Sequence, residues 1–183
     1  MIDRERAGRV RLLGLDVDGV LTDNAVFLGE IAGERVEFKR FDIQDGLGHV
    51  LLAIAGLEVI WVSGRQSTAT SLRGTELGVG TVLQVPASAK VPAIEAELSR
   101  RGLSWDQFAF VGDDLADLRV FERAGLAIAV ANAIPRIKSM AHHVTELPGG
   151  RGAVREVIDL LLEARGQTDQ VIAAYCAGST GPS

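Results

Sequence analysis

The chain has 183 residues, of which 47% are apolar and 23% charged, and its formal net charge is −5. These values are typical of one globular domain with a sizeable core. They exclude general electrostatic attraction to nucleic acid or to an anionic membrane, and we expect neither as a partner.

Short β-prone runs alternate with amphipathic stretches along the chain. Residues 10–16 are mostly apolar and then abruptly acidic, which predicts a buried first strand. Ser88 is expected to be the N-cap of a helix. Alternation of strands and helices predicts an α/β fold, a doubly wound, Rossmann-like and mostly parallel sheet with helices on both faces. The further predicted strands are 57–62, 81–83, 108–111 and 126–130, and the predicted helices are 46–55, 68–77, 89–100, 114–123 and 153–164.

Two segments depart from this alternation. Residues 25–28 and 35–41 are β-prone and flank the turn-like stretch "GEIAG", which predicts a β-hairpin inserted after the first strand. From Gly166 onward the composition is that of a tail, although residues 171–175 are apolar enough to dock. We therefore expect one domain over residues 1–165, with the insert at about 24–41, and a C-terminal tail over 166–183.

Polar side chains follow the predicted strands at their carboxyl ends. Open parallel sheets bind ligands at this edge, so we expect these side chains to meet in one crevice. Each group alone is ordinary for a turn or a helix start, but four groups on successive strand ends indicate a site. They are Asp16 and Asp18 after the first strand, Ser63, Gly64 and Arg65 after the second, Lys90 after the third, and Asp113, Asp114 and Asp117 after the fourth.

This combination suits phosphoryl transfer. Asp16 and Asp113 can supply the carboxylate ligands that Mg²⁺ prefers, and a carboxylate can also attack phosphorus to form an aspartyl-phosphate. The metal and Lys90 would neutralise the charge that repels an anionic nucleophile from a phosphate ester. Asp18 can protonate the leaving oxygen and later activate water. Backbone N–H groups in the turn that starts at Val17, and at Gly64, can cradle phosphate oxygens.

The segments "DVDGVLTD", "VSGR", Lys90 and "VGDDLADL" resemble the four motifs of the haloacid-dehalogenase superfamily of phosphohydrolases. Two further segments, "FDIQDGLGHVLL" and "GGRGAVREVIDLLL", resemble the capless subgroup that contains the 3-deoxy-D-manno-octulosonate 8-phosphate phosphatases. The resemblance covers about residues 10–163. It implies a Mg²⁺-dependent phosphatase acting on a small phosphorylated sugar acid.

The resemblance also implies roles for individual residues. Asp16 would be the nucleophile and a metal ligand, and Asp18 the general acid/base that also offers its backbone carbonyl to the metal. Asp113 would complete the protein ligands. The remaining implied roles are phosphoryl binding by Ser63 and Lys90, support of the metal or of Lys90 by Asp114 and Asp117, and substrate binding by Arg65, Arg151 and Arg155.

Assembly is the last implication of the resemblance. In this subgroup the hairpin stands in for a cap domain, and four subunits close one another's sites, with the loop 149–155 and the C-terminal tail contributing. Val26, Phe27, Phe38 and Phe41 give the hairpin an apolar surface that a monomer could hardly bury. We therefore expect a homotetramer.

Two departures from the family pattern bear on sugar specificity. The stretch "QVPASAK" before Lys90 is one residue longer than usual, and Asn132 in "VANA" stands where the family commonly has aspartate. A phosphatase for another nonulosonic acid, such as a sialic-acid-type 9-phosphate, is the main alternative. A response-regulator receiver domain lacks an acid two residues after its phosphoacceptor aspartate, and a non-catalytic family member would have no need of the Asp16 and Asp18 pair.

The cellular compartment follows from a few residues. The single cysteine, Cys176, cannot form an internal disulfide, which is typical of a reducing compartment. The charged N-terminus lacks the apolar stretch of a signal peptide, and no apolar run approaches the length of a membrane span. We expect a cytoplasmic protein.

Overall fold

The structure, a computed structural model, describes residues 2–180. Its elements alternate as the sequence predicts. The strands are β1 (Leu12–Leu15), β2 (Phe27–Ile31), β3 (Glu34–Phe38), β4 (Glu58–Ser63), β5 (Val82–Gln84), β6 (Phe108–Gly112), β7 (Leu126–Ala129) and β8 (His143–Val144). The helices are α1 (Arg4–Arg9), α2 (Ile43–Ile54), α3 (Thr68–Glu76), α4 (Lys90–Arg101), α5 (Leu118–Phe121), α6 (Pro135–Lys138), α7 (Ala153–Ala164) and α8 (Thr168–Cys176).

Six strands form the central sheet in the order β5-β4-β1-β6-β7-β8, and every pairing is parallel. Strand β1 lies in the middle and all four of its residues are buried. A Cβ at Gly14 would overlap the rings of Phe108 and Phe110 on β6, so glycine is required there. Helices flank the sheet, and the predicted Rossmann-like α/β fold is confirmed.

Three local predictions need correction. Ser88 is not an N-cap: residues 87–89 form a 3-10 turn, and Ala89 precedes α4 without a side-chain cap. Helix α2 begins at Ile43 rather than at 46, because the Asp42 side chain accepts the N–H of Gln44. The helix predicted at 114–123 is a 3-10 turn over 115–117 followed by the short α5.

The C-terminal segment is largely helical. Residues 166–183 were expected to be a tail, but α8 packs against α2 and α7 with Val171 buried at 2% exposure. Within the stretch 171–175, which was expected to dock, Val171 is buried, while Ile172 and Tyr175 remain 48% and 42% exposed. The last three residues of the segment lie outside the described residues. Helices α1 and α6 and strand β8 were not predicted because each is short and weakly periodic.

The predicted hairpin is present as the antiparallel pair β2 and β3. Its tight turn uses Ala32 and Gly33, both at positive φ (53° and 82°), which is the backbone of a two-residue hairpin turn. Phe41 stacks on Trp61 with ring centroids 6.2 Å apart and anchors the end of the hairpin on the sheet. Phe41 therefore does not belong to the exposed apolar surface for which it was predicted.

A buried polar chain lies beneath this anchor. The indole N–H of Trp61 donates to His49 Nε2 at 3.0 Å, so His49 must carry its proton on Nδ1 and donate it to the carbonyl of Asp45 at 2.9 Å. Burial lowers the pKa of His49, which keeps the ring neutral as this arrangement requires. The chain fixes α2 against β4.

Asp45 joins α2 to the start of α7. Its Oδ1 accepts the backbone N–H of Arg155 at 2.8 Å, while Oδ2 is buried without a hydrogen-bond partner among the described residues. Burial raises the pKa of Asp45 to about 6, against hydrogen bonds from the α7 backbone that lower it. Because the folded-state pKa lies above the unfolded value, this group favours folding at low pH and opposes it increasingly as the pH rises toward 6.

We expect Asp45→Asn to remove this pH dependence, since the amide keeps an acceptor for Arg155 and cannot ionise. Relative to wild type, the variant should gain about 1–3 kcal/mol of unfolding free energy as the pH rises from 4 to 7. Paired urea titrations at several pH values measure the difference and cancel the other titrating groups. A constant difference across this pH range would contradict the role of Asp45.

Among residues 2–180, no helix combines the length and the apolar character needed to cross a bilayer.

Candidate active site

Asp16, Lys90 and Asp117 form the buried centre of the site. Asp16 follows β1 directly, and Lys90 opens α4 with only 1% of its surface exposed. Lys90 Nζ donates to Asp16 Oδ1 at 2.9 Å and to Asp117 Oδ1 at 2.8 Å. Burial by itself would lower the pKa of Lys90, but the two carboxylates outweigh it and raise the pKa. Lys90 is therefore a fixed cation beside Asp16.

Asp113 follows β6 and completes a cluster of three carboxylates. One oxygen from each of Asp16, Asp113 and Asp117 lies within 4.8 Å of the others. Asp117 is fully engaged, because its Oδ2 accepts the backbone N–H of Asp113 at 3.0 Å while its Oδ1 binds Lys90. Asp113 Oδ1 is buried and has no hydrogen-bond partner among the described residues. Asp16 and Asp113 are thus the carboxylates available to a cation.

The charge balance of this cluster favours a divalent cation. Burial raises the pKa of Asp16 well above its usual range, and the nearby charge of Asp117 adds to this effect. Burial, followed by the charges of Asp117 and Asp114, raises the pKa of Asp113 to about 7. Lys90 offsets only one of the three negative charges. Oxygen ligands with excess negative charge are what Mg²⁺ prefers.

Close backbone packing explains the glycines of the first and fourth motifs. Gly19 has φ = +89°, and a Cβ there would overlap the Asp113 carboxylate. A Cβ at Gly112 would lie 2.5 Å from Asp117 Oδ2. Gly19 lets the loop after β1 approach Asp113 after β6, and Gly112 lets Asp117 fold back against the end of its own strand.

A protein-family model described as haloacid dehalogenase-like hydrolase matches residues 55–158. The 3-deoxy-D-manno-octulosonate 8-phosphate phosphatase of Escherichia coli K12 is 42% identical over 165 residues, which cover 90% of this chain and 86% of that protein. The chain belongs to the haloacid dehalogenase-like hydrolases. This membership also decides against the receiver-domain alternative.

Two solved structures have the same fold as this hydrolase. A crystal structure of 3-deoxy-D-manno-octulosonate 8-phosphate phosphatase from Moraxella catarrhalis, in complex with magnesium, phosphate and KDO, has a TM-score of 0.88 at 33% identity. It covers 94% of this chain and 97% of the other. The cobalt-bound phosphatase from Haemophilus influenzae has a TM-score of 0.81 at 32% identity and covers 92% of this chain and 99% of the other. The hydrolase therefore shares the fold of these phosphatases and is similar to them in sequence.

Asp18 lies in the same crevice of the hydrolase but outside the buried centre. Its side chain is 18% exposed, and its Oδ1 lies 2.7 Å from Lys39 Nζ and 3.9 Å from an amino group of Arg65. Val17, before it, is completely buried. The two aspartates of the first motif therefore lie in different environments. Asp16 contacts the buried Lys90, and Asp18 lies near Lys39 and Arg65, which belong to other segments.

Ser63 and Gly64 form the turn after β4. Ser63 is fully buried, and its hydroxyl donates to the carbonyl of Arg65 at 3.0 Å and accepts its backbone N–H at 3.1 Å. A Cβ at Gly64 would lie 4.0 Å from Lys90 Cε, so the turn adjoins the lysine. The structure brings this motif to the site, and the serine hydroxyl holds the turn in shape.

The other predicted residues are placed unequally. Asp114 is exposed, and its side chain accepts the N–H of Leu115 at 2.7 Å, which caps the following turn. Arg151 is 58% exposed at the side chain and approaches Asp23 at 4.0 Å, while Arg155 pairs with Asp159 along α7. Of the three candidate substrate arginines, Arg65 is the one that lies beside Asp18, at 3.9 Å.

The "GGRG" loop and Asn132 hold the first motif in place. Asn132 Nδ2 donates to the carbonyl of Gly19 at 3.0 Å, and its Oδ1 accepts the N–H of Gly149 at 2.6 Å. The N–H of Gly150 donates to the carbonyl of Val20 at 2.9 Å. An ionised aspartate at 132 cannot donate to Gly19, so the asparagine has a positional role that its sequence context did not reveal.

Sequence reasoning also missed Lys39 and Asn24. Asn24 has φ = +68°, and its amide lies 3.4 Å from Asp113 Oδ2. Lys39 follows β3 in the hairpin segment, and the alternation of Glu37, Phe38 and Lys39 in the sequence places the two charged residues on one face. That shared face was a usable signal, because charged residues facing inward need partners.

Proposed function

We propose that this hydrolase is a Mg²⁺-dependent phosphatase whose substrate is 3-deoxy-D-manno-octulosonate 8-phosphate and whose reaction passes through an aspartyl-phosphate on Asp16. The observation that carries the proposal is the meeting of Asp16, Lys90 and Asp113 at one strand edge, with Asp18 beside them. Relatives described as 3-deoxy-D-manno-octulosonate 8-phosphate phosphatases, which are 42% identical over 90% of the chain, support this choice of substrate.

The carboxylates of Asp16 and Asp113, with the backbone carbonyl of Asp18, would hold the Mg²⁺. When bound, the ion would neutralise the cluster's excess charge and the charge of the phosphoryl group. The unpartnered Oδ1 of Asp113 and the purely oxygen donor set fit this ion. Lys90 supplies a second, fixed positive charge beside Asp16.

The residues of the chain then divide the chemistry. An Asp16 oxygen attacks phosphorus while the bond to the leaving sugar oxygen breaks, and Asp18 gives that oxygen a proton. In the second step Asp18 takes a proton from water, the water oxygen bonds to phosphorus, and the bond to Asp16 breaks to release inorganic phosphate. Lys90 and the N–H groups of the turns at Val17 and Gly64 would hold the phosphoryl group, and Ser63 would join them by turning its hydroxyl proton from the Arg65 carbonyl to a phosphoryl oxygen.

A substrate screen tests the proposed specificity. With Mg²⁺ present, we expect 3-deoxy-D-manno-octulosonate 8-phosphate to give the highest kcat/KM in a panel of phosphorylated sugars and sugar acids, measured as released phosphate. Sialic-acid-type 9-phosphates, simple hexose phosphates and p-nitrophenyl phosphate serve as comparisons. A higher kcat/KM for a nonulosonic acid 9-phosphate would assign the enzyme to that substrate instead.

The proposal includes a homotetramer that closes the crevice. Phe27, Leu28, Ile31 and Phe38 of the hairpin are each more than half exposed, and β2 and β3 form a sheet of their own. A groove of about 900 Å³ lies between the hairpin and α3, and its lining includes Lys39 and Arg65, the cations beside Asp18. Neighbouring hairpins would bury the apolar surface and exclude water from the groove.

Light scattering tests the assembly. We expect a mass four times the 19.4 kDa of one chain, and a smaller mass with reduced activity for the double variant Phe27→Asp/Phe38→Asp. The matched control is Ile43→Asp at the start of α2, an exposed apolar residue outside both the hairpin and the groove lining. A wild-type monomer with full activity would contradict the proposal.

The lone exposed Cys176 agrees with a reducing compartment, for which we propose the cytoplasm.

A further inference from the structure

Lys39 is a buried cation on the hairpin that faces the catalytic loop. Its side chain has no exposed surface, and its Nζ lies 2.7 Å from Asp18 Oδ1, 3.2 Å from Thr70 Oγ1 and 3.8 Å from Glu37 Oε1. The approach to Asp18 is that of an ion pair rather than a well-directed hydrogen bond. A buried ammonium is costly unless it is paired, so its carboxylate neighbours fix its position.

The position of Lys39 is fixed by a network as well as by Asp18. Glu37 accepts from Ser67 Oγ at 2.6 Å and from Arg65 at 2.9 Å, which ties the hairpin to the turn after β4 and to the start of α3. The Ser67 hydrogen bond is the main reason that the pKa of Glu37 is lowered, so this residue stays anionic beside Lys39. Because these hydrogen bonds hold the hairpin against the start of α3, Lys39 is kept beside Asp18.

Asp18 needs an external partner because of its neighbours. Asp16 and Asp113 are carboxylates of the same crevice, and the charge of Asp18 acts on Asp113. Arg65 lies farther away, at 3.9 Å, and its side chain is 46% exposed, so solvent weakens its attraction. Lys39 is therefore the stronger restraint on the Asp18 carboxylate.

We propose that Lys39 is a positioning residue for Asp18. It holds the carboxylate against the hairpin, so that the group remains oriented for proton transfer and does not collapse onto the cation held by Asp16 and Asp113. This role rests on the proposed function, in which Asp18 is the general acid/base. It gives the hairpin a part in the chemistry in addition to any part in assembly.

A mutant cycle tests this role. Lys39→Met keeps an unbranched apolar stem and removes the charge, and Lys138→Met on α6 is the matched lysine control. Each is made alone, and Lys39→Met is also combined with Asp18→Asn. The assay measures kcat and KM with the best substrate from the screen and with p-nitrophenyl phosphate. The p-nitrophenolate leaving group departs without a proton, so on this substrate Asp18→Asn loses general-base assistance in the second step only, and its residual turnover stays measurable.

We expect Lys39→Met to lower kcat by about 10- to 100-fold on the sugar substrate, a part of what proton transfer contributes, with KM changed by less than about twofold. In the Asp18→Asn background the same change should cost almost nothing, because the group that Lys39 positions is already disabled. Lys39→Arg should recover part of the lost kcat, and Lys138→Met should match wild type.

Equal losses of kcat in both backgrounds, or an effect on KM alone, would overturn the positioning role and leave Lys39 as a structural or substrate-binding residue. Melting temperatures identify unfolding as the cause of a loss, in which case Lys39→Arg carries the test. Failure of the sugar screen with an intact cycle on p-nitrophenyl phosphate would overturn the proposed substrate only. Absence of turnover on every phosphate ester would overturn the proposed function itself.

Discussion

Asp16→Asn is expected to abolish phosphatase turnover, with a loss of at least about 10³-fold in kcat. The amide is a poor nucleophile and a weaker ligand for a cation, while its size matches the carboxylate. Lys90 also donates to Asp117, at 2.8 Å, and the substitution does not touch that bond, so the buried centre should stay folded. The loss should therefore be chemical rather than structural.

Three measurements separate these possibilities. Steady-state assays give the loss of kcat, melting curves show whether the fold is retained, and mass spectrometry of acid-quenched reactions detects a phosphorylated peptide that contains Asp16. Asp106→Asn is the matched control, since this exposed aspartate precedes β6 at the opposite end of the strand from Asp113. Turnover by Asp16→Asn near the wild-type rate would show that another group is the nucleophile, and a folded wild-type protein without turnover would favour the non-catalytic alternative.

Removal of divalent metal should have an effect of similar size. Chelator-treated protein is expected to lose its activity and to regain it with Mg²⁺. Without the ion, the three carboxylates of Asp16, Asp113 and Asp117 have only the ammonium of Lys90 to balance their charge. Binding should also raise the melting temperature, by the equivalent of about 2.7 kcal/mol at a hundredfold excess over Kd. This second readout is independent of catalysis.

Metal affinity should also depend on pH. Since burial raises the pKa of Asp113 to about 7, protons compete with the cation below that pH, and the Mg²⁺ concentration for half-saturation should rise as the pH falls from 8 to 6. Calorimetric titration of Mg²⁺ into the metal-free protein measures this directly, with Asp113→Asn as the variant that weakens binding at every pH. Full activity in chelator would contradict the metal assignment.

The sequence determined the fold class and the centre of the site for one physical reason. Parallel strands end at the same edge of a sheet, so a residue's position just after a buried strand predicts its neighbours in space. Asp16 and Asp113 follow adjacent strands of the sheet, β1 and β6, and Lys90 begins the helix after β5. Local periodicity and strand-end chemistry were therefore enough to bring these groups together.

Only the tertiary structure decided contacts between segments with no shared periodicity. Lys39 reaches Asp18 because the hairpin folds back over the first motif, and Asn132 joins Gly19 to Gly149 across more than a hundred residues of chain. Helix α8 docks through Val171 on surface that α2 and α7 provide. Such contacts depend on how whole elements pack, and a polar or apolar residue in a short segment carries no record of the partner that packing will bring to it.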